Sequence, residues 1–388
     1  MWTGRLSRIF VKYDSLYLPV LLRQARLARD WSQESVANGI CAVSYLSKIE
    51  NGKIVPAPDI VEALAKRLGL TLEDASLTPI EAKLDAFYAS HYEQEDGAPV
   101  FEAEELERML GSVFALDAML IRCQNREAVE TLRSYEPFFD ARQRRKYDEL
   151  RLLQGAWSEE AFLATYHDFF AYAFAAETSC RHERMLDCLA YWSEALSIAQ
   201  KEMDVERILD ALLGRLVAFS ILSDIPSMER VFAQIEKVAT MTATDSARQM
   251  LDNARYNVGA SRLERREYAK ALELLLGCAH RPLAAHKIAL CYEGLGEYEL
   301  AKAWIVKEQQ RASSVFFDVV RYRLEHPNYL REEAYARMMK RCLDEASENY
   351  HYGYFLFHLP YYLDVLEANR QYKEAYGLLK RHFIKQWD

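Results

Sequence analysis

Glycine and proline are both scarce, at 14 and 10 of 388 residues, which argues against a turn-rich β architecture. Cysteine is sparse and odd in number: seven, at positions 41, 123, 180, 188, 278, 291 and 342, with no C-x-x-C pair. That excludes a disulfide framework or a zinc ribbon and reads as buried thiols in a reducing cytosol. No run of about 18 apolar residues is free of charge, so a membrane span is not expected. Arg5 and Arg8 lie in the first ten residues, but no long apolar stretch follows, so a secretory signal is not expected either. A cytoplasmic protein with no membrane contact follows.

Catalytic signatures are also missing. The chain has nine His but no H-E-x-x-H, no P-loop, no G-x-S-x-G and no dinucleotide fingerprint. His280 with His286, and His351 with His358, lack the spacing and the carboxylate company of a metal site. Neither an enzyme nor a bound metal or cofactor is expected.

What is abundant is helix-forming and aromatic. Hydrophobic residues make up 51% and charged residues 28%, with 24 Tyr and 17 Phe, which favours an all-α protein of packed helices. The formal charge of −9 argues that the chain as a whole does not coat nucleic acid. The charge is unevenly spread, however. Residues 1–70 carry +4 and the remainder −13, a small basic head before a large acidic body.

The head reads as consecutive short helices. Leu18, Leu21, Leu22 and Ala25 share one helical stripe, with Arg23, Arg26 and Arg29 off it. Ser32 is an N-cap signal for a second helix bearing Val36, Ala37 and Ile40, and Asn38-Gly39 marks its end. In the stretch Val43 to Gly52, Leu46 and Ile49 turn inward while Ser44, Tyr45, Ser47 and Lys48 face out, and Gly52 stops the helix. A further helix, Asp59 to Leu68, buries Ile60, Leu64 and Leu68 and ends at Gly69.

Trp31-Ser-Gln-Glu, Leu46-Ser-Lys-Ile-Glu-Asn-Gly-Lys53, Pro56 and Ala63-Leu-Ala-Lys-Arg-Leu-Gly69 together resemble the lambda-repressor-like (XRE) helix-turn-helix family over about 55 residues. The turn Gly39-Ile-Cys-Ala-Val-Ser44 looks one residue shorter than in the commonest members. The form Gly-Ile-Cys-x-Val-Ser-Tyr-Leu-Ser-Lys-Ile-Glu-Asn resembles the heads of RRNPP peptide-pheromone receptors, the group of Rap, Rgg, NprR, PlcR and PrgX. The resemblance implies a recognition helix in the major groove of a double-stranded operator. Its early residues then meet base edges while the preceding helix meets the backbone. Ser44, Tyr45, Ser47 and Lys48 are placed at bases or adjacent phosphates and Gln33 at a phosphate or outer base, with Lys53 and Arg23 as weaker phosphate candidates.

Past Leu70 nearly every window has helical period. Arg266 to Leu275, Gly296 to Ile305 and Arg370 to Leu379 resemble one another, each reading turn, Tyr, then a helix with Ala three residues on. This is similar to the tetratricopeptide repeat, in which small residues let two helices approach and aromatics fill the gaps. The expected fold is therefore all-α, a helix-turn-helix bundle followed by a right-handed α-solenoid of degenerate helix pairs. The expected division is a head over 1–75, a linker helix and joint over 76–99, and a peptide-sensing and dimerisation domain over 100–388. Repeats are assigned over 250–310 and 350–385; between 100 and 250 the chain is helical by period and solenoidal only by continuity.

A solenoid of helix pairs offers a groove lined by the first helix of each pair, suited to an extended peptide. Side-chain amides supply both a donor and an acceptor to peptide backbone. Asn253 and Asn257 lie at i, i+4 with Tyr256 beside them, and the resemblance implies that inner-face Asn serves this purpose. Arg215, Lys287 and Glu293 are secondary candidates, Arg215 for an acidic peptide or its terminal carboxylate, or equally for an ion pair between helices. The aromatic run Tyr350 to Phe357 with Pro360-Tyr-Tyr362 reads as a pocket wall or as solenoid core. The expected function is a homodimeric transcription regulator set by a short signalling peptide. Two alternatives stay open: a docking adaptor that sequesters a partner such as a response regulator, and a ligand-independent phage or mobile-element repressor.

Overall fold

The computed structural model describes residues 18–70, 78–89, 100–110, 112, 114–124, 127–281, 284–309, 314–350 and 352–384. The readings on Arg5 and Arg8, and the parts of the 76–99 joint at 76–77 and 90–99, lie outside these residues. Among the described residues every regular element is helical. The chain divides into two compact units, 1–166 and 167–388.

Unit one opens with the head: α1 (Leu18–Leu27), α2 (Gln33–Ala37), α3 (Val43–Glu50) and α4 (Pro58–Leu68). The Ser32 hydroxyl accepts from the Ser35 amide, the cap that starts α2. Gly69, at φ 60°, takes the left-handed turn that ends α4. Most of the stripe read from the sequence is the core: Leu22, Val36, Leu46, Ile49, Leu64 and Leu68 are each fully buried, whereas Ile40 and Ile60 are half-buried and Val61 takes the inward place read for Ile60. Next come α5 (Thr78–Ala89), α6 (Ala103–Leu110), α7 (Ala115–Gln124), a 3₁₀ segment (Val129–Phe138), α8 (Ala141–Leu153) and α9 (Glu159–Thr165).

These helices do not open the expected array; they form a second core continuous with the head. Ile80, Leu84 and Phe87 of α5 are buried in it beside Val20 and Leu21 of α1. The Gln24 amide donates to the Tyr135 hydroxyl, and the Arg23 guanidinium lies 5.6 Å from the Tyr135 ring centre.

Unit two is a run of antiparallel hairpins: α10 (Phe169–Arg181) with α11 (Met185–Glu202), α12 (Val205–Ile221) with α13 (Ile225–Thr242), and α14 (Asp245–Glu264) with α15 (Tyr268–Gly277). It continues with α16 (Ala285–Gly294) and α17 (Tyr298–Gln309), α18 (Val315–Glu325) and α19 (Glu333–Asn349), and α20 (Tyr352–Ala368) and α21 (Tyr372–Leu379). The stretch from 169 to 250, which showed no repeat signature, is as regular as the rest. Its turns reverse through left-handed residues other than glycine, namely Glu183, Met203, Ser223 and Ala243, so the usual punctuation is absent.

The small-against-aromatic packing is literal at two places. A Cβ on Gly294 would fall 2.3 Å from the Tyr268 ring, and one on Gly214 would fall 2.1 Å from Trp192. The first helices α10, α12, α14, α16 and α18 each touch the next in the series, and α20 comes back against α12, so this unit closes around a hollow on its inner side.

Gly214→Ala should therefore lower stability by about 1–3 kcal/mol through overpacking on Trp192. Gly377→Ala, where a Cβ meets nothing within 4 Å in α21, should raise it by about 0.5–1 kcal/mol. Urea unfolding of the two variants checks both signs.

Candidate functional site

In the head, α3 presents one apolar and one open polar side. Leu46 and Ile49 are buried, Ser44 and Lys48 are exposed, and Tyr45 and Ser47 are half-buried. The helix is held from beneath by Glu50, which is 2% exposed. The Glu50 carboxylate accepts from Arg26 Nε at 2.7 Å and Nη2 at 2.9 Å, and from Gln33 Nε2 at 2.8 Å. A fork on two oxygens fixes the carboxylate plane, and the third donor adds a second bond to Oε2. The bond to Glu50 also raises the Arg26 guanidinium pKa. One buried anion thus sets the positions of α1, α2 and α3 together.

The seven head residues named from the sequence separate into two groups. Ser44, Tyr45, Ser47 and Lys48 share the open side of α3, and Lys53 is exposed in the turn that follows. Gln33 donates one N–H of its amide to Glu50, which leaves its second N–H for a phosphate or base and its carbonyl oxygen for a base donor. Arg23 is not on this face; it rests on Tyr135.

In unit two, a cavity of about 290 Å³ opens among the inner helices. Its walls are Asp210, Leu213, Gly214 and Val217 from α12, Tyr256, Asn257 and Glu264 from α14, Lys287 from α16 and Gly353, Tyr354 and Phe357 from α20. Trp192 of α11 and Glu177 of α10 complete it. Of the residues named from the sequence, Tyr256, Asn257 and Lys287 meet here. Three others do not. Asn253 accepts from Arg281, Glu293 is paired with Arg323 at 3.0 Å, and half-buried Arg215 lies 5.9 Å from the Phe219 ring centre. The aromatic run is wall and core at once: Tyr350, Tyr354 and Phe357 line the cavity while Phe355 and Leu359 are in the core.

Lys287 is the unusual group. It is 1% exposed, and its ammonium sits 3.3 Å from the Phe357 ring centre, 4.4 Å from Tyr354 and 5.4 Å from Tyr256. Ring faces are negative, so three of them partly replace lost water. The replacement is incomplete, and burial pushes the ammonium down to about 7, with Glu264 pulling the other way. Burial also raises the carboxyl pKa of Glu177 and of Glu264.

Asn257 Nδ2 donates to the Asn253 carbonyl at 2.9 Å, a back-bond within α14. The residues missed from the sequence, Glu177, Asp210 and Glu264, carry no motif. Their only signal is helical register: Asp210, Leu213, Gly214 and Val217 fall on one face of α12, and Tyr256, Asn257 and Glu264 do so on α14.

Among known proteins, residues 22–74 match the helix-turn-helix family. The transcriptional activator NprA of Geobacillus stearothermophilus is 23% identical over 282 residues, covering 61% of this chain and 66% of that protein, just under two thirds of its length. Bacillus thuringiensis PlcR, solved in complex with the peptide PapR7 and DNA, aligns over 79% of this chain and 96% of its own at 13% identity and a TM-score of 0.31. The Streptococcus dysgalactiae SHP pheromone receptor Rgg2 aligns over 76% and 100% at 14% identity and a TM-score of 0.26.

Two measurements bear on these geometries. Glu50→Ala leaves Arg26 and Gln33 with no anion, and thermal or urea unfolding should show a loss of about 3–5 kcal/mol. For Lys287, the folded pKa lies below the unfolded one. Between about pH 7 and 9 the unfolded chain then holds a proton that the folded chain does not, so this lysine's contribution to stability rises with pH. Stability of the wild type minus that of Lys287→Met should climb by up to about 2 kcal/mol over that window.

Proposed function

We propose that this chain is a DNA-binding transcription regulator whose DNA affinity is set by a short peptide held in the inner-side cavity of its helix-pair array. The observation that supports it most is the pairing of two built surfaces in one chain. One is the open polar side of α3, held in register by the buried Arg26–Glu50–Gln33 network. The other is a cavity whose walls come from six helices, five of them first in their pairs, rather than from one hairpin. The helix-turn-helix match and the activator NprA support the same reading.

On this reading the recognition helix offers Ser44, Tyr45, Ser47 and Lys48 to the major groove, and Lys53 reaches a flanking phosphate. Gln33 contributes through its second amide N–H, which can donate to a phosphate, or through its carbonyl oxygen, which can accept from a base. Arg23 has a structural role against Tyr135. The protein works in the cytoplasm as a homodimer, because two heads on adjacent turns of a duplex multiply the specificity of one. Asn257 clamps peptide backbone, and Tyr256 and Lys287 shape the cavity floor. Peptide binding acts by population shift, favouring one arrangement of the stacked first helices over another.

The test uses a duplex selected from a randomised library on the wild-type chain. Tyr45→Ala with Lys48→Ala should abolish specific retardation in a gel shift and leave the circular dichroism spectrum unchanged. Lys48→Ala alone should reduce the salt slope of binding by about one, and Arg23→Ala should leave that slope as it is. A double variant that still binds its selected duplex sinks the placement of α3 in the groove.

A further inference from the structure

The charge lining the cavity has a sign, and it is opposite to the one a basic anchor at Arg215 implied. Arg215 is not in the wall. Three carboxylates are, Glu177, Glu264 and Asp210, the last with a partner of its own, and one ammonium, that of Lys287. That ammonium does not neutralise them by contact: its close neighbours are ring faces, and no ion pair joins it to a carboxylate among the described residues.

Glu177 and Glu264 have no hydrogen bond or ion pair among the described residues. Glu177 feels only the charge of Arg181, one turn along α10, and Glu264 feels that of Lys287. Glu177 is half-buried and Glu264 is exposed to the hollow, so a cation from solvent can reach both carboxylates, and the surrounding protein walls screen the attraction less than bulk water does. An acidic group entering the same space meets like charge on two walls. The volume, about 290 Å³, suits one or two side chains or a chain end rather than a whole peptide.

From this we infer that the cavity selects its peptide by a cationic group, a Lys or Arg side chain or the free amino terminus, seated between Glu177 and Glu264. The inference rests on the peptide reading above and adds the chemistry of the anchor. Lys287 then acts as a built-in competitor: it supplies part of the compensating charge when the cavity is empty, and its removal sharpens the preference.

Two randomised heptapeptide pools, one with free and one with acetylated amino termini, are incubated with the full-length chain. Retained peptides are recovered by gel filtration and sequenced by mass spectrometry. Lys and Arg enriched at least about tenfold in the acetylated pool assign the anchor to a side chain. Retention lost on acetylation, without that enrichment, assigns it to the terminus; both support the inference. Glu264→Gln, at a residue open to the cavity's water, should cut the enrichment severalfold, Glu177→Gln with Glu264→Gln should remove it, and Lys287→Met should increase it. Retained peptides with no basic preference and no response to acetylation overturn the inference while leaving the peptide reading intact. So does a preference unchanged in a double variant that melts with the wild type. Retention of no peptide from either pool overturns both.

Discussion

A helix pair cannot bury its apolar faces alone, and that constraint organises unit two. Each hairpin hides one face between its own two helices and leaves another that only the next hairpin can cover, so stacking is obligatory and the stack has ends. The end is visible. In α21 no residue is fully buried, and Tyr372, Tyr376 and Leu379 stand exposed, whereas the interior helices α14 to α20 share one continuous core. The same constraint makes the inner side a place for chemistry. First helices must stack on one another, so a polar residue at the right register on each is brought to a common hollow without any local motif.

Buried charge is used differently in the two units. In the head, Glu50 is met by three donors, and the network closes on itself, which rigidifies the three helices that aim α3. In the cavity, Lys287 is met by ring faces and Glu177 by the charge of Arg181 one turn along α10 without a hydrogen bond, so the charges remain open to a newcomer. A satisfied buried network is structural; an unsatisfied one, walled and reachable, is poised for a ligand. The seven cysteines fall on the structural side. All are free thiols, and burial raises those of Cys278, Cys291 and Cys342, so they pack as small apolar groups.

The head was legible because its information is local. Ser32, Gly52 and Gly69 announce helix ends within a turn of where they act, and Leu46 with Ile49 identifies the buried side of α3 by spacing alone. The stretch from 169 to 250 was illegible for the converse reason. Its reversals use Glu183, Ser223 and Ala243 in a conformation that sequence patterns assign to glycine, so the tight turns left no mark. The packing of α5 to α9 with the head was also hidden, since it rests on contacts such as Gln24 with Tyr135 across a long separation in sequence. In the cavity, Asn257 and Tyr256 were found because they are chemically distinctive neighbours in one helix. Glu177, Asp210 and Glu264 are spread over three helices and are ordinary until those helices are stacked.

The charge asymmetry along the sequence acquires a location in this light. An acidic body of −13 repels duplex DNA and leaves contact to the basic head, but a diffuse surface charge says nothing about a ligand. Three of its carboxylates face a confined hollow, where low-dielectric walls focus their field instead of letting salt screen it. Surface acids and cavity acids therefore do separate work, the former setting which macromolecules approach and the latter which small cation is retained. Lys287 keeps the second group in check: an ammonium that burial lowers to about 7, and that aromatic faces only partly support, compensates the acids weakly and can surrender that role to a ligand charge without breaking an ion pair.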